Sequence, residues 1–290
     1  MSKRLLFIAV VGVLWGMPFA GAQTLARPGW AGSGMTANIW WRHAVVYAVD
    51  THSNGGLKAV AARMDAMQML NVDAVLLRGV QGAGEAGIDP AAGTMEDFDE
   101  VLLQATRHTL RVLVELSPKT ASEDISGVAR FWLSRGVAGF RLASAQGDDG
   151  TQMRQLRAAA KGYVGERVMI GDAPLGDAKG AARGADGPQL LLDDSIAVVP
   201  LDVAAIRMAL ERNDAMNRAG GAVPLLATKD GAGGGPEVGK VVATLLLSTR
   251  GGTMIREGQE GSGEGPDSLG VWYRQLSAMQ HSNEIGRAHV

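Results

Sequence analysis

The sequence predicts an α/β fold in which parallel strands alternate with helices. Short apolar runs recur along the chain, stretches with apolar residues at helical spacing separate them, and about eight such repeats fit into the 290 residues. A doubly wound sheet has about five or six strands, and no glycine fingerprint for a dinucleotide follows the first predicted strand. A (β/α)8 TIM barrel takes about 250 residues, so the predicted fold is such a barrel at minimal size.

The predicted elements follow one another in chain order. Apolar runs predict strands at residues 44–49, 73–77, 111–116, 138–142, 167–170, 189–192, 222–227 and 253–255, and a further apolar run lies near residues 196–199. Helical spacing predicts helices at residues 57–70, 95–108, 125–134, 152–161, 203–218, 238–248 and 269–281. Thr94, with Asp97 three residues later, is close to a capping box, and Pro236 suits the first turn of a helix. In such a barrel the residues just beyond each strand are the candidate functional positions.

Composition and charge exclude several classes of function. The 28 Lys and Arg against 30 Asp and Glu give a net charge of −2, so no basic excess is available to bind nucleic acid. A hydrophobic share of 46% and a charged share of 20% are typical of a globular chain and exclude a disordered one. The absence of cysteine excludes disulfides, thiolate metal sites and a cysteine nucleophile.

Residues 1–22 predict a signal peptide. Lys3 and Arg4 precede an apolar run over residues 5–19, and the small residues 20–22 (AGA) fit a cleavage site. An uncleaved anchor is the alternative, because a membrane span needs about 20 apolar residues. Cleavage predicts an exported protein, periplasmic or extracellular, without membrane contact afterwards. The remaining chain then divides into a glycine-rich lead at 23–37, the barrel at 38–284 and a tail at 285–290.

Blocks along the chain resemble, in order, those of the α-amylase family, glycoside hydrolase family 13. They are residues 40–50 (WWRHAVVYAVD), 64–77 (MDAMQMLNVDAVLL), 88–102 (IDPAAGTMEDFDEVL), 111–122 (RVLVELSPKTAS), 131–143 (FWLSRGVAGFRLA), 225–230 (LLATKD) and 251–260 (GGTMIREGQE) followed by 271–284 (VWYRQLSAMQHSNE). The resemblance covers nearly all of the predicted mature chain. It implies the same barrel and an ancestry in the hydrolysis of α-glucosidic bonds.

The resemblance assigns three catalytic carboxylates to strand ends, and two of these positions depart from the family. The nucleophile falls on Ala143, whose methyl group cannot form a glycosyl-enzyme intermediate. The general acid falls on Asp172, one methylene shorter than the family's Glu, and the carboxylate that stabilises the transition state falls on Asp230. Arg141, which matches the family, and Lys229, next to Asp230, are the predicted substrate-binding residues.

Two interpretations of these charges stay open. Arg141 could serve a structural role by neutralising Asp172 and Asp230, because charges in a barrel mouth need partners. Asp148 and Asp149, on the loop after the fourth strand, are the alternative replacements for the nucleophile. A loop carboxylate rarely holds the placement that catalysis requires.

The family's calcium site is predicted to be lost, and no cofactor is expected. The family's Asp, Asn and His in the third block fall on Glu115, Lys119 and Thr120, so Lys119 brings a positive charge where the cation would bind. The chain also has only a short link after the third strand, where the family inserts a domain, and we expect no β-sandwich after the barrel.

The sequence therefore predicts an exported relative of carbohydrate-metabolism hydrolases that is catalytically impaired and retains binding of an α-glucan or oligosaccharide. One alternative is an active hydrolase of α-glucosidic bonds that uses rearranged carboxylates, drawn from Asp172, Asp230 and either Asp148 or Asp149. Another is a non-enzymatic scaffold or interaction barrel.

Overall fold

The structure is a computed structural model that describes residues 39–53, 55–82, 87–143, 150–173, 186–229, 235–261 and 265–287. The predicted signal peptide and glycine-rich lead lie outside the described residues. So do three of the predicted site residues, Asp148, Asp149 and Asp230.

Eight parallel strands close into a barrel in chain order, with β8 paired to β1, which confirms the predicted (β/α)8 fold. The strands are β1 (Val45–Asp50), β2 (Ala74–Arg78), β3 (Arg111–Leu116), β4 (Gly139–Leu142), β5 (Val168–Asp172), β6 (Leu190–Asp193), β7 (Val223–Ala227) and β8 (Gly252–Arg256). The helices are α1 (Gly56–Ala62), α2 (Met64–Met69), α3 (Met95–Arg107), α4 (Ser126–Arg135), α5 (Thr151–Ala160), α6 (Ser195–Val198), α7 (Val203–Ala219), α8 (Pro236–Ser248) and α9 (Leu269–Arg287).

The structure differs from the predicted elements in three places. The helix predicted over 57–70 is divided into α1 and α2, because Arg63 has φ −99° and ψ 6° and leaves the helical path. The apolar run at 196–199 lies mostly in the short helix α6. Helix α9 continues to Arg287, beyond residue 281, where the predicted last helix ends. A helix boundary is the least certain part of a sequence prediction.

Alternation along each strand divides the apolar residues into two cores. One set points into the barrel, where it includes Val46, Leu76 and Leu113. The other set points outward under the helices and includes Val45, Val75 and the fully buried Trp132 of α4. Because successive strand residues face opposite sides, this division also fixes which residues at the strand ends face the barrel axis.

Local signals read from the sequence form as predicted at two helix starts. The Thr94 hydroxyl accepts the Asp97 N–H at 3.2 Å and the Asp97 carboxylate accepts the Thr94 N–H at 2.9 Å, which is a complete capping box for α3. Pro236 occupies the first turn of α8.

One glycine is required by the packing of two strands. A Cβ atom added at Gly139, at the start of β4, would collide with the backbone oxygen of Val168 on β5.

In the described part of the chain, no helix combines the length and apolar character that crossing a bilayer demands.

Candidate active site

Charged residues of alternating sign occupy the ends of five consecutive strands. They are Asp50, Arg78, Glu115, Arg141 and Asp172, from β1 to β5, and we call them the mouth charges. Asp50, Arg78, Glu115 and Asp172 each stand two residues from an inward-pointing apolar residue of their strand. Arg141 lies between Phe140 and Leu142, which belong to the outer core, so all five side chains belong to the inner face. Asp50 is the register partner of Arg78, and Glu115 is the register partner of Arg141. The register of the barrel therefore alternates charges around its mouth.

Arg141 joins two of the mouth carboxylates. Its Nη1 donates to Glu115 Oε2 at 2.5 Å, and its Nη2 donates to Asp172 Oδ1 at 2.8 Å. The side chains of Arg141 and Glu115 are only 15% and 11% exposed, whereas that of Asp172 is 47% exposed. Arg78 Nε lies 3.6 Å from the same Glu115 oxygen. The result is a partly buried ion-pair network that spans β2 to β5.

The network holds Arg141 in its charged form. Burial lowers the pKa of Arg141, but the nearby carboxylates of Glu115 and Asp172 and their hydrogen bonds more than offset burial, so its pKa is raised above the usual value. With a protonated guanidinium between them, both carboxylates receive charge-assisted hydrogen bonds.

Ala143 lies where the chain leaves β4, two residues beyond Arg141. Its N–H donates to the Leu116 carbonyl of β3 at 2.9 Å, so strand pairing extends to this residue. Alternation gives it the same inner face as Arg141. The position that the resemblance assigns to the nucleophile thus lies at the barrel mouth and carries a methyl group.

The remaining predicted site residues are brought together only in part. Arg141 and Asp172 are in direct contact. Lys229 is exposed and follows β7 by two residues, while its neighbour Asp230 lies outside the described residues. No three His, Asp or Glu side chains gather around a possible metal position within the described ranges.

Sequence reasoning missed two members of the network. Glu115 was assigned only to the calcium block and Arg78 was not considered, although each lies at the end of its strand. Counting two-residue steps from the inward-pointing Leu76 and Leu113 would have placed both side chains at the mouth.

No protein-family model matches the chain. In the rabbit (Oryctolagus cuniculus), the amino acid transporter heavy chain SLC3A2 is 22% identical over 168 residues, which cover 48% of this chain and 32% of that protein. The trehalose-6-phosphate hydrolase of Escherichia coli (strain K12) is 30% identical over 95 residues, 27% of this chain and 17% of the enzyme. The matched part of the chain thus spans a third or less of the length of these curated relatives.

A solved structure extends the likeness over most of the barrel. The α-amylase of Geobacillus thermoleovorans, complexed with acarbose, superposes with a TM-score of 0.64 at 13% identity, covering 84% of this chain and 79% of that one. The resemblance to the α-amylase family is confirmed. The sequence relatives and structural neighbours of this α-amylase-like barrel include glycoside hydrolases of family 13 that act on α-glucosides.

Proposed function

We propose that this α-amylase-like barrel has lost retaining hydrolysis and keeps weak binding to an α-glucan or oligosaccharide. The observation that carries the proposal is the alanine at the end of β4. A retaining glycosidase needs two carboxyl groups about 5–5.5 Å apart, one of which attacks the sugar. The methyl group of Ala143 has no lone pair with which to do so.

The state of Asp172 supports the same proposal. A general acid must carry a proton to the leaving oxygen, whereas Asp172 accepts a charge-assisted hydrogen bond from Arg141. Its side chain is also one methylene shorter than the glutamate of the family, and a displacement of about 1 Å can cost about 10²-fold in rate. The carboxylate at the general-acid position is thus ion-paired with Arg141, and its shorter side chain sets it back from the place that the family's glutamate reaches.

We propose no cofactor for this site. The family's calcium position does not fit the residues present, because Glu115 Oε2 already contacts two guanidinium groups. Lys119 adds a positive charge three residues beyond β3, where a calcium site would need oxygen ligands.

A non-enzymatic interaction barrel is a second candidate. One relative is named as the heavy chain of an amino acid transporter and not as a hydrolase. The same loss of a nucleophile is compatible with a barrel that serves as a scaffold, since fold alone does not determine function.

We also propose that the protein is exported to the periplasm or beyond the cell. The basic, apolar and small-residue segments of residues 1–22 support this proposal. Fractionation of cells, with N-terminal sequencing of the recovered chain, tests it. A chain that starts at Gln23 outside the cytoplasm is expected, and a cytoplasmic chain that retains Met1 would contradict it.

Incubation with α-glucans and 4-nitrophenyl α-glucoside, alongside calorimetric titration with maltooligosaccharides, tests the functional proposal. We expect weak binding without turnover. Turnover by the native chain that disappears in Asp172→Asn would instead establish an active hydrolase with rearranged carboxylates. Absence of both turnover and binding would favour the interaction barrel.

A further inference from the structure

A cavity of about 560 Å³ lies beside the mouth charges, between the loops that follow β2 and β3. Its volume is within the range of about 300–1,000 Å³ that holds small ligands. The polar side chains on its wall include Gln81, Asp89, Glu115, Ser117, Lys119 and Glu123. Among the described residues that line it, neither Ala143 nor Asp172 appears. We call this space the β2–β3 cavity.

Two carboxylates of the β2–β3 cavity keep an oxygen for a ligand. Both guanidinium contacts of Glu115 fall on Oε2, and within the described chain Oε1 has no partner. Glu123 accepts the Lys119 N–H through Oε2 at 2.8 Å, and its Oε1 is likewise without a partner there. Asp89 differs, since Oδ1 accepts the Ala91 N–H and Oδ2 faces His52 at 3.4 Å.

The β2–β3 cavity is lined by both negatively and positively charged side chains, and this combination favours a neutral ligand over a charged one. An anion would meet the carboxylates of Glu115, Glu123 and Asp89, and a cation would meet the ammonium group of Lys119. A neutral hydroxyl group donates to a carboxylate and accepts from an ammonium group, so it satisfies both kinds of lining residue.

We propose that the β2–β3 cavity binds a neutral polyhydroxylated ligand, with Glu115 and Glu123 accepting from its hydroxyl groups and Lys119 donating to its oxygens. This inference rests on the glycan binding proposed above and moves that binding away from Ala143 and Asp172. Ile125 and Val128 supply an apolar wall for the carbon skeleton.

The structure provides a local reporter for this cavity. The indole Nε1–H of Trp132 donates to Gln81 Oε1, and Gln81 lines the cavity. A ligand that enters should shift the Trp132 indole resonance in an N–H correlation spectrum, and Trp132→Phe assigns the peak among those of the six tryptophans.

The full chain is titrated with maltose, as a cyclic sugar, and with sorbitol, as a linear polyol. We expect at least one of them to shift the Trp132 resonance with a Kd on the order of millimolar. Glu123→Gln should weaken that binding about tenfold, since it removes a charge-assisted acceptor. The matched control Asp202→Asn, a carboxylate that accepts backbone N–H groups at the start of α7, should leave the Kd unchanged.

Three results would overturn the inference. The Trp132 resonance could stay fixed while maltose binds calorimetrically. Binding could disappear in Asp172→Asn and persist in Glu123→Gln, in which case the functional proposal stands and only the location is wrong. Finally, putrescine or inorganic phosphate could bind more tightly than either neutral probe.

Discussion

Removing the Arg141 guanidinium, which lies between the carboxylates of Glu115 and Asp172, should destabilise the fold measurably. Arg141 makes two charge-assisted hydrogen bonds, and such bonds contribute about 1.5–3 kcal/mol each. The bond to Asp172 counts for less, because that carboxylate is 47% exposed and screened by solvent. The main cost comes from Glu115, 11% exposed, which among the described residues keeps only the ion pair with Arg78 at 3.6 Å. We expect Arg141→Met to lower the free energy of unfolding by about 3 kcal/mol.

Thermal and urea denaturation of matched variants measure this cost. At about 2–4 °C per kcal/mol for a chain of this size, the melting temperature of Arg141→Met should fall by about 6–12 °C. The control is Arg135→Met, which breaks a surface pair with Asp99 at 2.9 Å and should cost about 0–1 kcal/mol.

A double-mutant cycle separates the ion pair from other effects of the substitution. Glu115→Gln combined with Arg141→Met should restore part of the lost stability, with a coupling energy of about 2 kcal/mol. A coupling near zero, or an Arg141→Met cost equal to that of Arg135→Met, would refute the reasoning.

Three further changes probe the barrel and the site. Gly139→Ala should cost about 1–3 kcal/mol in urea denaturation, because the added methyl group meets the Val168 backbone. Asp97→Asn should lower the melting temperature at pH 7, and the difference should shrink as pH falls below 3.8. The Thr94 N–H lowers the pKa of Asp97 in the folded state, so the stability it contributes is present above 3.8 and lost as pH falls through the lower folded value. Ala143→Asp should leave hydrolysis of an aryl α-glucoside at background, because the carboxylate of β5 stays paired with a guanidinium.

Each of these predictions has an outcome that contradicts it. Gly162→Ala is the control for Gly139→Ala, since a Cβ added there meets no atom within 4 Å, and equal costs would refute the packing argument. A pH-independent effect of Asp97→Asn would refute the role of its charge. Turnover by Ala143→Asp would mean that the site around it is still correctly shaped.

Most of the fold could be predicted from the periodic spacing of apolar residues along the chain. The apolar run of β3 was predicted at its observed bounds, Arg111–Leu116, and the eight repeats led to the closed barrel. The break at Arg63 could not be predicted, because residues on both sides of it continue the helical spacing. The spacing of apolar residues predicts that a helix or strand forms, whereas tertiary contacts decide where that helix or strand is interrupted.

The candidate site was predictable in its positions and not in its contacts. The resemblance located Ala143, Arg141 and Asp172 in the sequence. The bonds of Arg141 join residues 26 and 31 positions away, and only the parallel register of β3, β4 and β5 brings them together. The β2–β3 cavity was missed for the same reason, since two separate loops line it.

Covalent trapping tests the central claim most directly. A ring-fluorinated α-glucosyl fluoride loses its anomeric fluoride and leaves a fluoroglucosyl group attached to the nucleophile of a retaining glycosidase. Intact-protein mass spectrometry detects the added mass. With Ala143 at the nucleophile position, we predict no change in mass at any pH where the protein is folded. Peptide mapping would locate any added fluoroglucosyl group. Its attachment to an Asp or Glu at the barrel mouth would contradict the claim that the barrel has lost its retaining chemistry.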